Sequence, residues 1–120
     1  MADTHEFGIM DSIEKDKVYN DYEPEKYSCI SINGDIIDEI FFKNSKDKII
    51  KMETFAHSVN HPYKGFAYCG ITLIPPKSLK QFLDIIVEEN VKFKSKELDI
   101  LIEKISHAMK EKKWLIHFGI

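Results

Sequence analysis

His57 and His61 stand four residues apart, a spacing that on a helix would place two imidazoles on one face around a metal ion. Pro62 follows directly, Asn60 favours a turn, and no glutamate follows the first histidine as a metalloprotease motif requires. Both histidines therefore read as loop residues. A zinc site built from Cys29, Cys69, His57 and His61 would draw its ligands from scattered segments, without the paired short spacings of structural zinc motifs. A thiol nucleophile is a further option, because Cys69 and His117 lie in two apolar strand-like runs that could be neighbours. Such a thiol needs partial exposure and an electropositive setting, whereas Tyr68 and Ile71 beside it point to burial. Asn33-Gly34-Asp35 follows a strand-like run, but one glycine and no Lys-Ser/Thr pair do not make a phosphate loop. No Gly-x-Ser-x-Gly nucleophile elbow is present. Asp35, Asp38 and Glu39 could meet a cation, yet acids at a helix start explain them. No cofactor is expected.

Charge gives a stronger lead. Residues 1–26 carry eight carboxylates against three lysines, a net of −5, while the other 94 residues carry twelve acids and fourteen lysines, a net of +2. Within the acidic part, Asp16, Asp21, Glu23 and Glu25 flank Tyr19 and Tyr22. Carboxylates around tyrosines combine electrostatic steering with aromatic anchors and suit a basic protein partner; solvated surface charge is the plainer reading. The chain has no arginine, the residue that supplies most guanine readout and bidentate phosphate contacts. With a pI near 5.9, nucleic acid is not the expected partner.

These residues need a scaffold. Phe7-Gly-Ile-Met10 reads as a short edge strand, and residues 11–26 as a surface loop anchored by apolar residues on both sides. A loop of this length in so small a chain is uncommon and is often functional. Tyr27–Ile32 alternates as a strand. Asp35 reads as the N-cap of a helix carrying Ile36, Ile37, Ile40 and Phe41, and Ile49, Met52, Phe55, Ala56 and Val59 continue at helical spacing. His57 to Gly65 is a loop. Phe66–Ile74 is a nearly all-apolar run, expected to be a central strand with both faces covered, stopped by Pro75-Pro76. Ser78 and Gln81 predict a capping box for a helix Leu79–Glu89. Ser95 caps a second helix with Leu98, Leu101, Ile102, Ile105, Ala108 and Met109 on one stripe. Trp114–Ile120 is a last strand that must pair within the sheet. Tyr27, Phe66, Tyr68, Trp114 and Phe118 fall on alternate strand positions and could tile one sheet face, with helices as its expected cover.

The expected fold is α+β, a small mostly antiparallel sheet with helices packed against it, in the order β-β-α-α-β-α-α-β, and residues 1–120 form a single domain by length. No apolar run is long enough to cross a membrane. No secretory signal is expected at the acidic N-terminus, and two isolated cysteines suit a reducing, cytoplasmic setting. Asp21-Tyr22-Glu23-Pro24-Glu25-Lys26-Tyr27, Gly70-Ile-Thr-Leu-Ile-Pro-Pro76 and His117-Phe-Gly-Ile120 together resemble small acidic bacterial proteins, uncharacterised or of the immunity type that neutralises polymorphic toxins. That resemblance implies inhibition by tight binding, with no cofactor and a toxin as the basic partner, and transfers no family residue. The alternatives are a small enzyme or ligand-binding domain with a pocket near Cys69, His57 and His61, and a structural homodimer; monomer and homodimer both stay open.

Overall fold

The computed structural model describes residues 4–67 and 70–119. The chain runs through β1 (Thr4–Met10), β2 (Ile30–Asn33), α1 (Gly34–Glu39), a π-helical turn (Ile40–Asn44), α2 (Lys46–Ile49), β3 (Glu53–Ala56), β4 (Pro62–Lys64), β5 (Ile71–Ile74), α3 (Pro76–Phe93), α4 (Lys96–Glu111) and β6 (Trp114–Gly119). The six strands form one sheet in the order β2-β1-β6-β5-β3-β4, with every pairing antiparallel. With helices packed against it, this is an α+β fold.

The apolar run before Pro75 becomes a strand only over Ile71–Ile74, where all four residues are buried between β6 and β3. Tyr68 and Cys69 lie outside the described residues. Thr4–Met10 is longer than the sequence predicted and is not an edge: β2 pairs on one side and β6 on the other. Glu53–Ala56 and Pro62–Lys64 replace the expected second helical stretch and part of the loop after it. Helix survives there only over Lys46–Ile49, because Phe55 and Ala56 pair in the sheet with Leu73 and Thr72. Thr-Phe at this point is strand-forming, and tertiary pairing overrides the three-and-four spacing.

Helix starts differ from the sequence reading in an instructive way. Asn33, not Asp35, caps α1: its side-chain oxygen accepts from the Asp35 N–H at 2.8 Å. α3 begins at Pro76 with Pro75 as its cap, as fits a residue that lacks an N–H at the first helical position. Ser78 is left free of capping and donates instead to the Glu53 carbonyl at 2.6 Å, tying α3 to β3. Ser95 does cap α4, accepting from the Leu98 N–H at 3.3 Å. α3 and α4 bury Leu79, Phe82, Ile86, Leu98, Leu101 and Ile105 against one face of the sheet. Each such side chain contributes roughly 1.5–3 kcal/mol relative to exposure.

The two sheet faces have different covers. Phe7, Ile74 and Leu115 meet the helices. Met10, Ile71, Leu73, Ile116 and Phe118 point to the opposite face, where Tyr19 and Tyr27 close over them. Among the described residues no helix covers this second face; the acidic segment between β1 and β2 does. Tyr27 and Phe118 share it, ring centroids 6.2 Å apart, while Phe66 packs on the helix side, so the predicted single aromatic platform is split.

Candidate functional site

The acidic segment carries no helix or strand, yet it is held at many points. Its first anchor is Tyr19, buried to 6% exposure among Met10, Ile71 and Phe118, with its hydroxyl accepting the Glu14 N–H at 3.1 Å. The second is His57. The His57 carbonyl accepts from the Tyr19 N–H at 2.7 Å, and its ring Nδ1 donates to the Tyr19 carbonyl at 2.8 Å. With the proton on Nδ1, Nε2 faces the Ile71 N–H at 3.5 Å. His57 holds this clamp from a left-handed backbone, φ 63°, a region costly for a residue with a Cβ. Asn60 adds a bond from its side-chain amide to the Lys15 carbonyl at 2.9 Å. Further along, the Cys29 N–H donates to the Pro24 carbonyl at 2.9 Å, and the Ile9 N–H to the Tyr27 carbonyl at 3.3 Å. Gly8 makes this crossing fit: a Cβ there would stand 2.7 Å from the Tyr27 Cβ and 2.8 Å from its carbonyl oxygen.

His57→Ala should therefore free the segment without unfolding the sheet. The expected cost is about 1–3 kcal/mol for the lost bonds, read as faster hydrogen exchange at the Tyr19 amide with unchanged exchange in β6. Equal protection of Tyr19 in both proteins would contradict the clamp.

The six residues expected to meet a partner divide into two groups. Asp16, Asp21, Tyr22 and Glu25 are exposed, Glu23 is half-buried, and Tyr19 is core. Tyr22 rests edge-on against Phe118, centroids 5.3 Å apart and planes at 87°, with 49% of its surface still open. None of Asp16, Asp21, Glu23 and Glu25 forms an ion pair among the described residues, whereas Asp11 is matched by Lys113 and Glu14 by Lys17. Lys17 and Lys26 lie over the rings of Tyr19 and Tyr27.

Among the described residues, the histidine and cysteine sites of the sequence do not assemble. His61 is exposed in the turn before Pro62, while both ring nitrogens of His57 serve the loop clamp. Among the described residues, no three metal-ligating side chains converge. Burial, with the Glu6 carboxylate adding to it, pushes the Cys29 thiol up to about 12, far from the thiolate a nucleophile requires. Thr72 on β5 is registered with His117, so the two strands are neighbours, and Cys69 lies outside the described residues.

A buried polar pair escaped the sequence reading. His5 on β1 and His117 on β6 are both fully buried, their Nδ1 and Nε2 atoms 2.8 Å apart. Asp38 on α1 turns toward His5, its Oδ1 3.7 Å from Nε2, and so does not join Asp35 and Glu39 around a cation. Phe7, Phe41 and Phe66 pack around the His117 ring. Desolvation lowers the pKa of His5, partly offset by Asp38, and lowers that of His117 well below its ordinary value. Alternation along β1 places His5 on the face of Phe7 and Ile9, which was the available signal for its burial; its partner, 112 residues away, left none in the spacing.

Fold and loop together define an α+β protein whose sheet is covered by helices on one face and by a clamped acidic segment on the other. In comparisons with known proteins, no family model, no curated protein and no solved structure matches the chain.

Proposed function

We propose that this chain is a small cytosolic, non-catalytic protein-binding domain, an inhibitor of the immunity type whose acidic segment docks on a basic partner such as a toxin. The supporting observation is the contrast in pairing: Asp16, Asp21, Glu23 and Glu25 lack ion-pair partners among the described residues, and they ride on a segment clamped by Tyr19 and His57. Unpaired carboxylates keep their full field for steering a cationic partner. A clamped backbone loses little conformational freedom on binding, which removes a large part of the usual cost of association. Tyr22, half-open on Phe118, supplies the aromatic anchor at the centre of that field.

The test is capture from a lysate of the native host, with the wild-type chain and with Asp16, Asp21, Glu23 and Glu25 all changed to lysine. A basic protein retained by the wild type and lost by the charge-reversed variant is expected. The same proteins retained by both would remove the acidic segment from the interaction.

A further inference from the structure

On the far side of Lys26 from the acidic surface, the chain forms a groove of about 600 Å³ between the end of β1, the turn at Tyr27-Ser28 and the outer face of α4. Its size falls within the usual range for small-molecule sites. It exists because β2 pairs β1 only through Phe7; beyond that, the chain leaves the sheet edge to cross to the other face. Ile9, Ile30, Tyr27 and Ile100 give the groove an apolar lining.

Lys26, Lys104 and Lys113 line the groove against two carboxylates, Asp11 and the exposed Glu103 on its α4 lip, so cations exceed acids by one. Asp11 is taken by Lys113 at 2.8 Å. Lys104 is half-buried, and its Nζ donates at 2.8 Å to a neutral acceptor, the carbonyl of Ser28. Lys26 sits over the Tyr27 ring. Neither Lys26 nor Lys104 has a carboxylate in ion-pair contact among the described residues. Ser28 presents its carbonyl to Lys104 from a left-handed backbone, φ 52°, a conformation that a residue with a Cβ holds only where its surroundings enforce it. An ammonium answered only by a carbonyl gains from an anion placed beside it.

We infer that the groove between Tyr27-Ser28 and α4 binds a small organic anion, its charged end between Lys26 and Lys104 and its apolar body on Tyr27, Ile9 and Ile100. This site borders the acidic partner surface at Lys26, which also lies beside Glu23, while Lys104, Ile9 and Ile100 lie outside that surface; it stands whether or not that surface binds a protein. An anionic head and an apolar body must act together, because lysine ammoniums are strongly hydrated and the apolar lining is shallow.

Titration of the labelled protein with 1-naphthoate, followed by NMR, tests this, with 1-naphthylmethanol and acetate as the neutral and the bodiless probes. Saturable shifts are expected at Ile9, Tyr27, Ile100 and Lys104 with 1-naphthoate, and weaker binding by about tenfold or more with either control. Lys26→Met, on an exposed side chain, and Lys104→Met should each weaken 1-naphthoate by a similar factor, with the rest of the spectrum unchanged. Equal binding of naphthoate and naphthylmethanol, shifts centred elsewhere, no saturable binding, or unaltered affinity in both variants would each overturn the assignment.

Discussion

Acidification from about pH 7 to about pH 5 is expected to remove about 2–4 kcal/mol of folding stability, well before the carboxylates titrate. The cause is the buried pair His5 and His117. Burial lowers both from the ordinary 6.5, His117 by far the more. Below 6.5 the unfolded chain binds protons that the folded chain excludes. Stability is thus fully present above that value and is lost as pH falls toward the native pKa values. Each histidine that stays neutral in the native state contributes a slope of about 1.4 kcal/mol per pH unit. Asp38, 3.7 Å from His5, supports the cation on that ring and makes its share the smaller one. The loss is large against a total of about 5–15 kcal/mol for a typical domain. Urea unfolding at a series of pH values measures it. His117→Gln keeps a polar partner for His5 and should flatten the slope by more than half. A stability that does not change between these pH values would contradict the buried neutral pair.

Gly8→Ala should destabilise the chain by about 2–3 kcal/mol, and Gly8→Val by more. In a strand, replacing glycine by alanine ordinarily stabilises by about 0.4–1 kcal/mol through the unfolded state. Here the added Cβ meets the Cys29 Sγ at 2.6 Å as well as the Tyr27 Cβ and carbonyl; the thiol can rotate, but the carbonyl and the Cβ fixed to its backbone cannot. The clash outweighs the entropic gain, and the strain is relieved by lifting residues 26–29 off β1. Thermal unfolding of Gly8→Ala, with exchange at the Ile9 amide as the local probe, checks both parts. A variant as stable as the wild type would mean that the crossing is not tight.

Much of this architecture is legible in the sequence, and the failures have identifiable causes. The stripe on α4 and its Ser95 cap are both as read, since each depends on neighbours within a turn or two. The apolar character of Ile71–Ile74 correctly predicts an interior strand. β3 was misread because Met52, Phe55, Ala56 and Val59 satisfy a helical spacing by coincidence, while the pairing with β5 that decides the matter is not local. The edge reading of β1 failed for the same reason: its partner β6 is the last element of the chain. For the site, composition singled out the acidic segment. It did not show that Tyr19 belongs to the core while Tyr22 stays half-open, because both tyrosines sit in equally polar surroundings. The clamp by His57 was hidden behind its pairing with His61, which invited a metal reading and concealed a structural one.

Steering of a basic partner by the clamped acidic segment is read from association kinetics. The captured partner's association rate should be measured across ionic strength for the wild type and for the variant with Asp16, Asp21, Glu23 and Glu25 reversed to lysine. The wild-type rate is expected to fall steeply, by about tenfold or more, from low to physiological salt, and the variant's rate to be slow and salt-insensitive or oppositely sloped. Identical rates and identical salt dependence in the two proteins would contradict it.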